Sequence, residues 1–176
     1  MPDKSTQTGG SIQHTRDFQD IGERPPIETN TELNTIIWLA FDGASRGNPG
    51  PSGCGAHASI RHNNGKTIPF MTMKKSIPPT TNNMAEWKAF VYGLEQVCET
   101  LEKTEIHPSK VDIRIKGDSR LVVEQTCRRW KIKDNKFVDL FQQAHFLLGQ
   151  FGKWSMTHVY RQQNATADKL ANQAIQ

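Results

Sequence analysis

Four carboxylates stand where a strand ends or a helix begins. Asp42 closes the apolar run TIIWLAF, Glu86 opens a long helical stretch, Asp118 follows an alternating run in KGDS, and Asp168 falls in the first turn of a final helical stretch. Brought together, they would repel one another, and hard divalent cations would relieve that cost. Oxygen donors without cysteine or paired histidine favour magnesium or manganese over zinc. Two such ions about 4 Å apart can clamp a phosphodiester, one activating water and the other stabilising the leaving oxygen, so the chemistry open to this set is two-metal phosphoryl transfer. Each residue also has a structural explanation. Asp42 with Gly43 can be a turn, Asn83 and Glu86 a capping box, Asp118 an N-cap, and Asp168 a complement to a helix dipole.

Residues 35 to 176 supply the elements that would position them. TIIWLAF reads as a buried strand stopped at Asp42 and Gly43. CGAHASIR and KTIPFMTMKK flank Asn64 and Gly65, a hairpin signal, and Pro69 inside the second run predicts a sheet edge. Trp87, Phe90, Val91, Leu94, Val97, Cys98 and Leu101 recur on one face of a helix. VDIRIKG then alternates as a strand, DSRLVVEQTCRRW reads as a short helix, and Phe137 to Leu148 as another. WSMTHVY is a last strand before a helix capped by Asn164. The order β β β α β α α β α predicts an α/β fold with a five-stranded mixed sheet, an antiparallel meander extended by parallel strands. Ligands in open α/β sheets gather beyond the carboxyl ends of parallel strands, where three of the four carboxylates would fall.

Length and charge bound the rest. A chain of 176 residues holds one domain of ordinary size, expected at 35 to 176, behind a polar N-terminal tail at 1 to 34 that is too poor in apolar residues to order itself. Net charge is +4, but residues 1 to 34 carry three basic and six acidic residues, which leaves +7 on the rest and suits a polyanionic partner. The apolar run Ile36 to Phe41 is far too short to span a bilayer, the N-terminus lacks the apolar core of a secretory signal, and Cys54, Cys98 and Cys127 form neither a disulfide framework nor a zinc knuckle. The chain is therefore expected to be intracellular, in the cytoplasm, off the membrane and monomeric, and Met1 with the polar tail favours a free-standing protein.

The motifs around the carboxylates resemble those of the type 1 ribonuclease H family. FDGASRGNPGPSGCG (Phe41 to Gly55), TTNNMAEWKAFVYGLE (Thr80 to Glu95), IKGDSRLV (Ile115 to Val122) and RQQNATADKLAN (Arg161 to Asn172) follow the family's order over residues 35 to 176. The resemblance implies a ribonuclease H-like fold and an endonuclease that hydrolyses the RNA strand of RNA/DNA hybrids with two Mg2+ ions, or Mn2+, leaving 5′-phosphate and 3′-hydroxyl ends. It implies that Asp42 bridges both ions, Glu86 and Asp118 complete the site on the leaving-group side, and Asp168 helps hold the ion that activates water. It further implies that Asn48, Asn82, Asn83 and the backbone at Gly47 line the minor groove on the RNA strand, with Thr81 near a phosphate of the DNA strand. An asparagine amide donates and accepts, which matches the 2′-hydroxyl that separates RNA from DNA. CRRWKIKDNK (Cys127 to Lys136) interleaves Trp130 with basic residues that could grip the DNA backbone, or it is a solvated loop around one core tryptophan.

The chain departs from the family pattern in places. YRQQNATAD holds no histidine between Tyr160 and Asp168, where many members have one; Arg161 is the substitute, with an electrostatic role because arginine is no base at neutral pH. His158 is expected to pack in the strand. Arg120 stands where glutamine is frequent, the basic protrusion of longer members is missing from the Cys127 to Lys136 segment, and the tail does not resemble a hybrid-binding domain. Rival readings are another nuclease on the same fold, a non-catalytic hybrid-binding module, and the ribonuclease portion of a reverse transcriptase.

Overall fold

β1 (Thr35–Ser45) buries Ile37, Leu39 and Phe41 on one face, with Ile36 and Trp38 half-buried on the other. The computed structural model describes residues 33–63 and 65–176, so the expectation of a tail at 1 to 34 lies almost wholly outside the described residues. β2 (Gly50–His62) and β3 (Ile68–Thr80) continue β1 as an antiparallel meander, while β4 (Val111–Gly117) and β5 (Lys153–His158) add parallel strands, in the order β3-β2-β1-β4-β5. The expected five-stranded mixed sheet is present, and Pro69 sits on its edge strand. There the β2–β3 register shifts between Ala58 and Ser59, which accommodates a residue that cannot donate to the ladder. The ladder reaches only Ile60 and Ile68, so the connection is longer than the two-residue turn expected at Asn64 and Gly65; Asn64 lies outside the described residues.

α1 (Asn82–Lys103) follows β3 directly. Its N-cap is Thr81, whose hydroxyl accepts from the Met84 amide at 3.3 Å, and Lys103 in the last turn complements the dipole. The apolar face read from the sequence is the buried one: Trp87, Phe90, Val91, Leu94, Val97 and Leu101 are fully enclosed. Phe90 meets Phe41 with ring centroids 5.0 Å apart, which fixes α1 over the centre of β1. α2 (Arg120–Thr126) and α3 (Val138–Leu148) pack beside α1. α4 (Ala165–Ala174) lies on the opposite side of the sheet, since Gly55 abuts its backbone while the next residue, Ala56, faces Gly93 of α1.

Three local expectations change. β1 does not stop at Asp42 and Gly43 but runs to Ser45, paired to β2, and only its parallel pairing with β4 ends at Phe41. A Cβ at Gly43 would stand 2.2 Å from the Ala85 carbonyl carbon, so this glycine serves the close approach of α1 and not a turn. Glu86 belongs to the second turn of α1, and Thr81 rather than Asn83 is the cap, so the capping-box explanation of Glu86 falls away. Asn164 makes no side-chain cap; its amide donates to the Phe41 carbonyl at 2.8 Å and ties the start of α4 to β1.

Candidate active site

Asp42 reaches the site because β1 outlasts its pairing with β4, leaving the gap into which Asp118 opens from the end of β4. Ser119 caps α2 by accepting from the Val122 amide at 3.3 Å, so Asp118 is not spent on a cap. Glu86 enters from above on the face of α1 pressed against Gly43, whose amide donates to the Glu86 carboxylate at 3.1 Å. One carboxylate oxygen from each of Asp42, Glu86 and Asp118 falls within 4.8 Å of the others. Asp168, from the first turn of α4, lines the same cavity of about 460 Å³.

Asp42 and Glu86 are buried. Burial, reinforced by the neighbouring Asp118 and Asp168 charges, pushes the Asp42 carboxyl up to about 7. Burial and then the charges of Asp42 and Asp118 hold Glu86 well above the usual carboxylate range, against the lowering effect of the Gly43 amide. Unlike charge is what this cluster lacks. Arg161 supplies some at the rim: its Nε and a terminal nitrogen both donate to one Asp168 oxygen, at 3.2 and 2.8 Å. Oxygen donors gathered this closely, with Asp42 and Glu86 held against ionisation first by burial and then by neighbouring charge, fit hard divalent cations, which would take Asp42, Glu86 and Asp118 together and could draw on Asp168.

The other expected residues divide into two groups. Asn82 and Arg161 line the carboxylate cavity. Asn48 is joined to Asn82 by an Oδ1 that accepts from the Asn82 amide at 3.1 Å, and Gly47, at φ +116°, is held by the Ser45 hydroxyl, which donates to its carbonyl. Thr81 caps the helix beside them. Asn83 and Trp130 instead line a second cavity of about 590 Å³ with Arg129, Lys131 and Lys133. Trp130 is 47% exposed, which rules out the core-tryptophan explanation of this segment. The start of α1 thus divides an acidic cavity from a basic one.

His158 lies in β5, as expected, but the strand does not enclose it. It borders the carboxylate cavity, half-buried, with Nε2 3.2 Å from the Asp118 carbonyl oxygen and its ring 6.0 Å from that of Tyr160. Tyr160 and Asn172 also line the cavity, and the Asn172 amide donates to the Asp168 carbonyl at 2.9 Å. The strand pattern of WSMTHVY hid His158; only its place at the carboxyl end of a parallel strand signalled it.

A family model described as "Reverse transcriptase-like" matches residues 40–174. The bifunctional protein Rv2228c of Mycobacterium tuberculosis is 37% identical over 145 residues, 79% of this chain but 35% of that protein, so the chain spans about a third of that relative's length. Ribonuclease H of Thiobacillus denitrificans is 34% identical over 146 residues, 80% of this chain and 93% of its own. Among solved structures, LC11-RNase H1 in complex with an RNA/DNA hybrid superposes with a TM-score of 0.66 at 29% identity, covering 79% of this chain and 96% of its own. With the four motifs in order, the carboxylates converging from β1, α1, β4 and α4, and relatives matched along nearly their full length, the chain belongs to the type 1 ribonuclease H family.

Proposed function

We propose that residues 35 to 176 form an endoribonuclease that hydrolyses the RNA strand of RNA/DNA hybrids with two divalent metal ions, Mg2+ or Mn2+, leaving 5′-phosphate and 3′-hydroxyl ends. The observation that carries this reading is the meeting of Asp42, Glu86 and Asp118 within 4.8 Å, with Asp168 on the wall of the same cavity. When bound, the ions would supply an activated water and neutralise charge on the leaving oxygen. Asp42 would serve both ions, with Glu86 and Asp118 helping to hold the one on the leaving-group side and Asp168 the one on the water side. The chain's own contribution is placement: β1, β4 and α1 lock three carboxylates before substrate arrives, so little reorganisation remains for the reaction.

The two cavities beside the start of α1 suit a two-stranded substrate. The acidic one would take the RNA strand, with Asn48, Asn82 and the Gly47 backbone placed to meet 2′-hydroxyls in the minor groove, helped by Asn83 at the divide. The basic one would take the DNA backbone, with Thr81 at its edge, Trp130 against deoxyribose and the Arg129, Lys131 and Lys133 charges on phosphates. Arg161 contributes charge at the RNA-strand rim. The relative solved with a hybrid supports this choice of substrate. Incubation with matched RNA/DNA, RNA/RNA, DNA/DNA and single-stranded RNA in magnesium tests it: cleavage confined to the RNA of the hybrid is expected, and cleavage of duplex DNA overturns the substrate assignment.

A further inference from the structure

α4 covers only part of the sheet face on which it lies. Trp38 pairs with Ser59 and Arg114, Ile36 with Arg61 and Asp112, Ala40 with Lys116, and Asp112 with Lys153. These residues alternate with the core residues Ile37, Leu39, Ile60 and Ile113, and so face the α4 side. The Arg61 and Arg114 guanidinium carbons stand 5.1 and 5.8 Å from the Trp38 ring centroid. Among the described residues the carboxylate on this face is Asp112, itself buried, and Arg114 engages it at 3.0 Å. Among the described residues no carboxylate lies within ion-pair distance of Arg61, Lys116 or Lys153. Arg61 and Arg114 therefore flank one indole, Lys116 and Lys153 lie farther out on the same face, and Ile36 and Trp38 are half-buried.

This surface is continuous with the acidic cavity. Lys116 lies two residues before Asp118 and donates to the Gln163 carbonyl at 3.4 Å, in the turn that carries Arg161. A strand leaving the cavity past Arg161 meets Lys116 first and the indole next.

We infer that this face is a second nucleic-acid contact, one that takes single-stranded polynucleotide flanking the segment in the catalytic cavity. Arg61 on β2 and Lys153 on β5 are three strand spacings apart, about 14 Å, so the cations follow a backbone across the sheet rather than crowd one phosphate. The Trp38 ring with the Arg61 and Arg114 guanidiniums against it forms a stacking surface of planar groups that tolerates any base, and an open sheet face suits unpaired bases better than a duplex, whose bases are stacked inside. An acidic protein segment would satisfy the charges but leave the indole unused. The inference rests on the hydrolase reading only for the path of the strand; binding measured in EDTA reads the face apart from cleavage.

The test is fluorescence anisotropy with a labelled oligothymidylate of about fifteen nucleotides in EDTA, titrated with salt. Each lost phosphate contact on a single strand makes the slope of log affinity against log salt shallower by about 0.7, so Arg61→Gln/Lys153→Gln is expected to lose about 1.4 in slope and about fiftyfold in affinity near 50 mM salt. Lys153→Gln alone, at an exposed position, is expected to lose half that slope. Trp38→Leu is expected to weaken binding about tenfold with an unchanged slope. Cleavage of a blunt hybrid by all three variants stays at the parental rate, which certifies their folding. Parental oligonucleotide affinity in Lys153→Gln and Trp38→Leu overturns the proposal. So does equal binding of polyglutamate that responds to the same substitutions, which would assign the face to an acidic protein partner.

Discussion

Replacing Asp42 by asparagine should stabilise the metal-free protein while removing its function. The folded chain holds the Asp42 carboxyl protonated up to about 7, against 3.8 for a free aspartate, because burial and then the Asp118 charge oppose ionisation. Between those values the folded state binds more protons than the unfolded state, so this group's contribution to stability falls as pH rises from about 4 through about 7. The whole difference corresponds to roughly 4 kcal/mol at the upper end, and Asp42→Asn relieves it while also removing the charge nearest Glu86. At about 3 °C per kcal/mol for a chain of this size, thermal denaturation in EDTA should place the variant on the order of 10 °C above the parent near pH 8 and about 5 °C above it near pH 5, the gap closing only below about pH 4. Saturating Mg2+ should then raise the parent's midpoint near pH 8 and leave the variant's unmoved, since an ion held at about a hundred times its dissociation constant adds roughly 2.7 kcal/mol. Equal midpoints for parent and variant near pH 8 in EDTA would refute the reasoning, because neither burial nor the neighbouring charges would then be opposing ionisation of Asp42.

Asp118→Asn removes a carboxylate that is less buried than Asp42, so hybrid binding by gel shift should persist while kcat falls at least about 10²-fold to 10³-fold. Arg161→Ala frees Asp168 from a pair whose arginine side chain is 75% exposed; the thermal midpoint should not move, and hybrid cleavage should slow about tenfold, with Arg161→Lys restoring only part because a lysine cannot donate the two bonds to one oxygen. Gly43→Ala drives a methyl into the Ala85 backbone and should cost several kcal/mol in urea denaturation together with most of the activity, since α1 must shift and carry Glu86 with it. Leu94→Ala, fully enclosed beneath α1, should cost about 2–5 kcal/mol in the same assay with kcat unchanged.

Periodicity made α1 and the sheet legible because Trp87, Phe90, Leu94 and Leu101 repeat on one face and the Pro69 strand could only be an edge. The site was legible in its residues and less so in its geometry. Asp42 and Gly43 carry a turn signature, yet β2 keeps pairing through them, and the glycine answers to α1 packing across 43 residues of chain, which no local pattern contains. Glu86 was read as a helix opener for the same reason: the cap that fixes the true start is Thr81, and a cap is assigned by which amide its side chain meets. Asn164 has the residue type of a cap but spends its amide on Phe41, 123 residues away. The sequence pattern predicts only packing for His158 and nothing for Tyr160, because a short half-exposed strand gives no sign of which residues its end turns toward the carboxylates.

Crystals of Asp118→Asn grown with an RNA/DNA hybrid and Mn2+ offer the most direct test, read as anomalous difference density. Two peaks about 4 Å apart among Asp42, Glu86, the residue at 118 and Asp168, flanking a phosphate of the RNA strand, are expected. Density for the hybrid with no cation between those side chains, or with the DNA strand over them, would contradict the account.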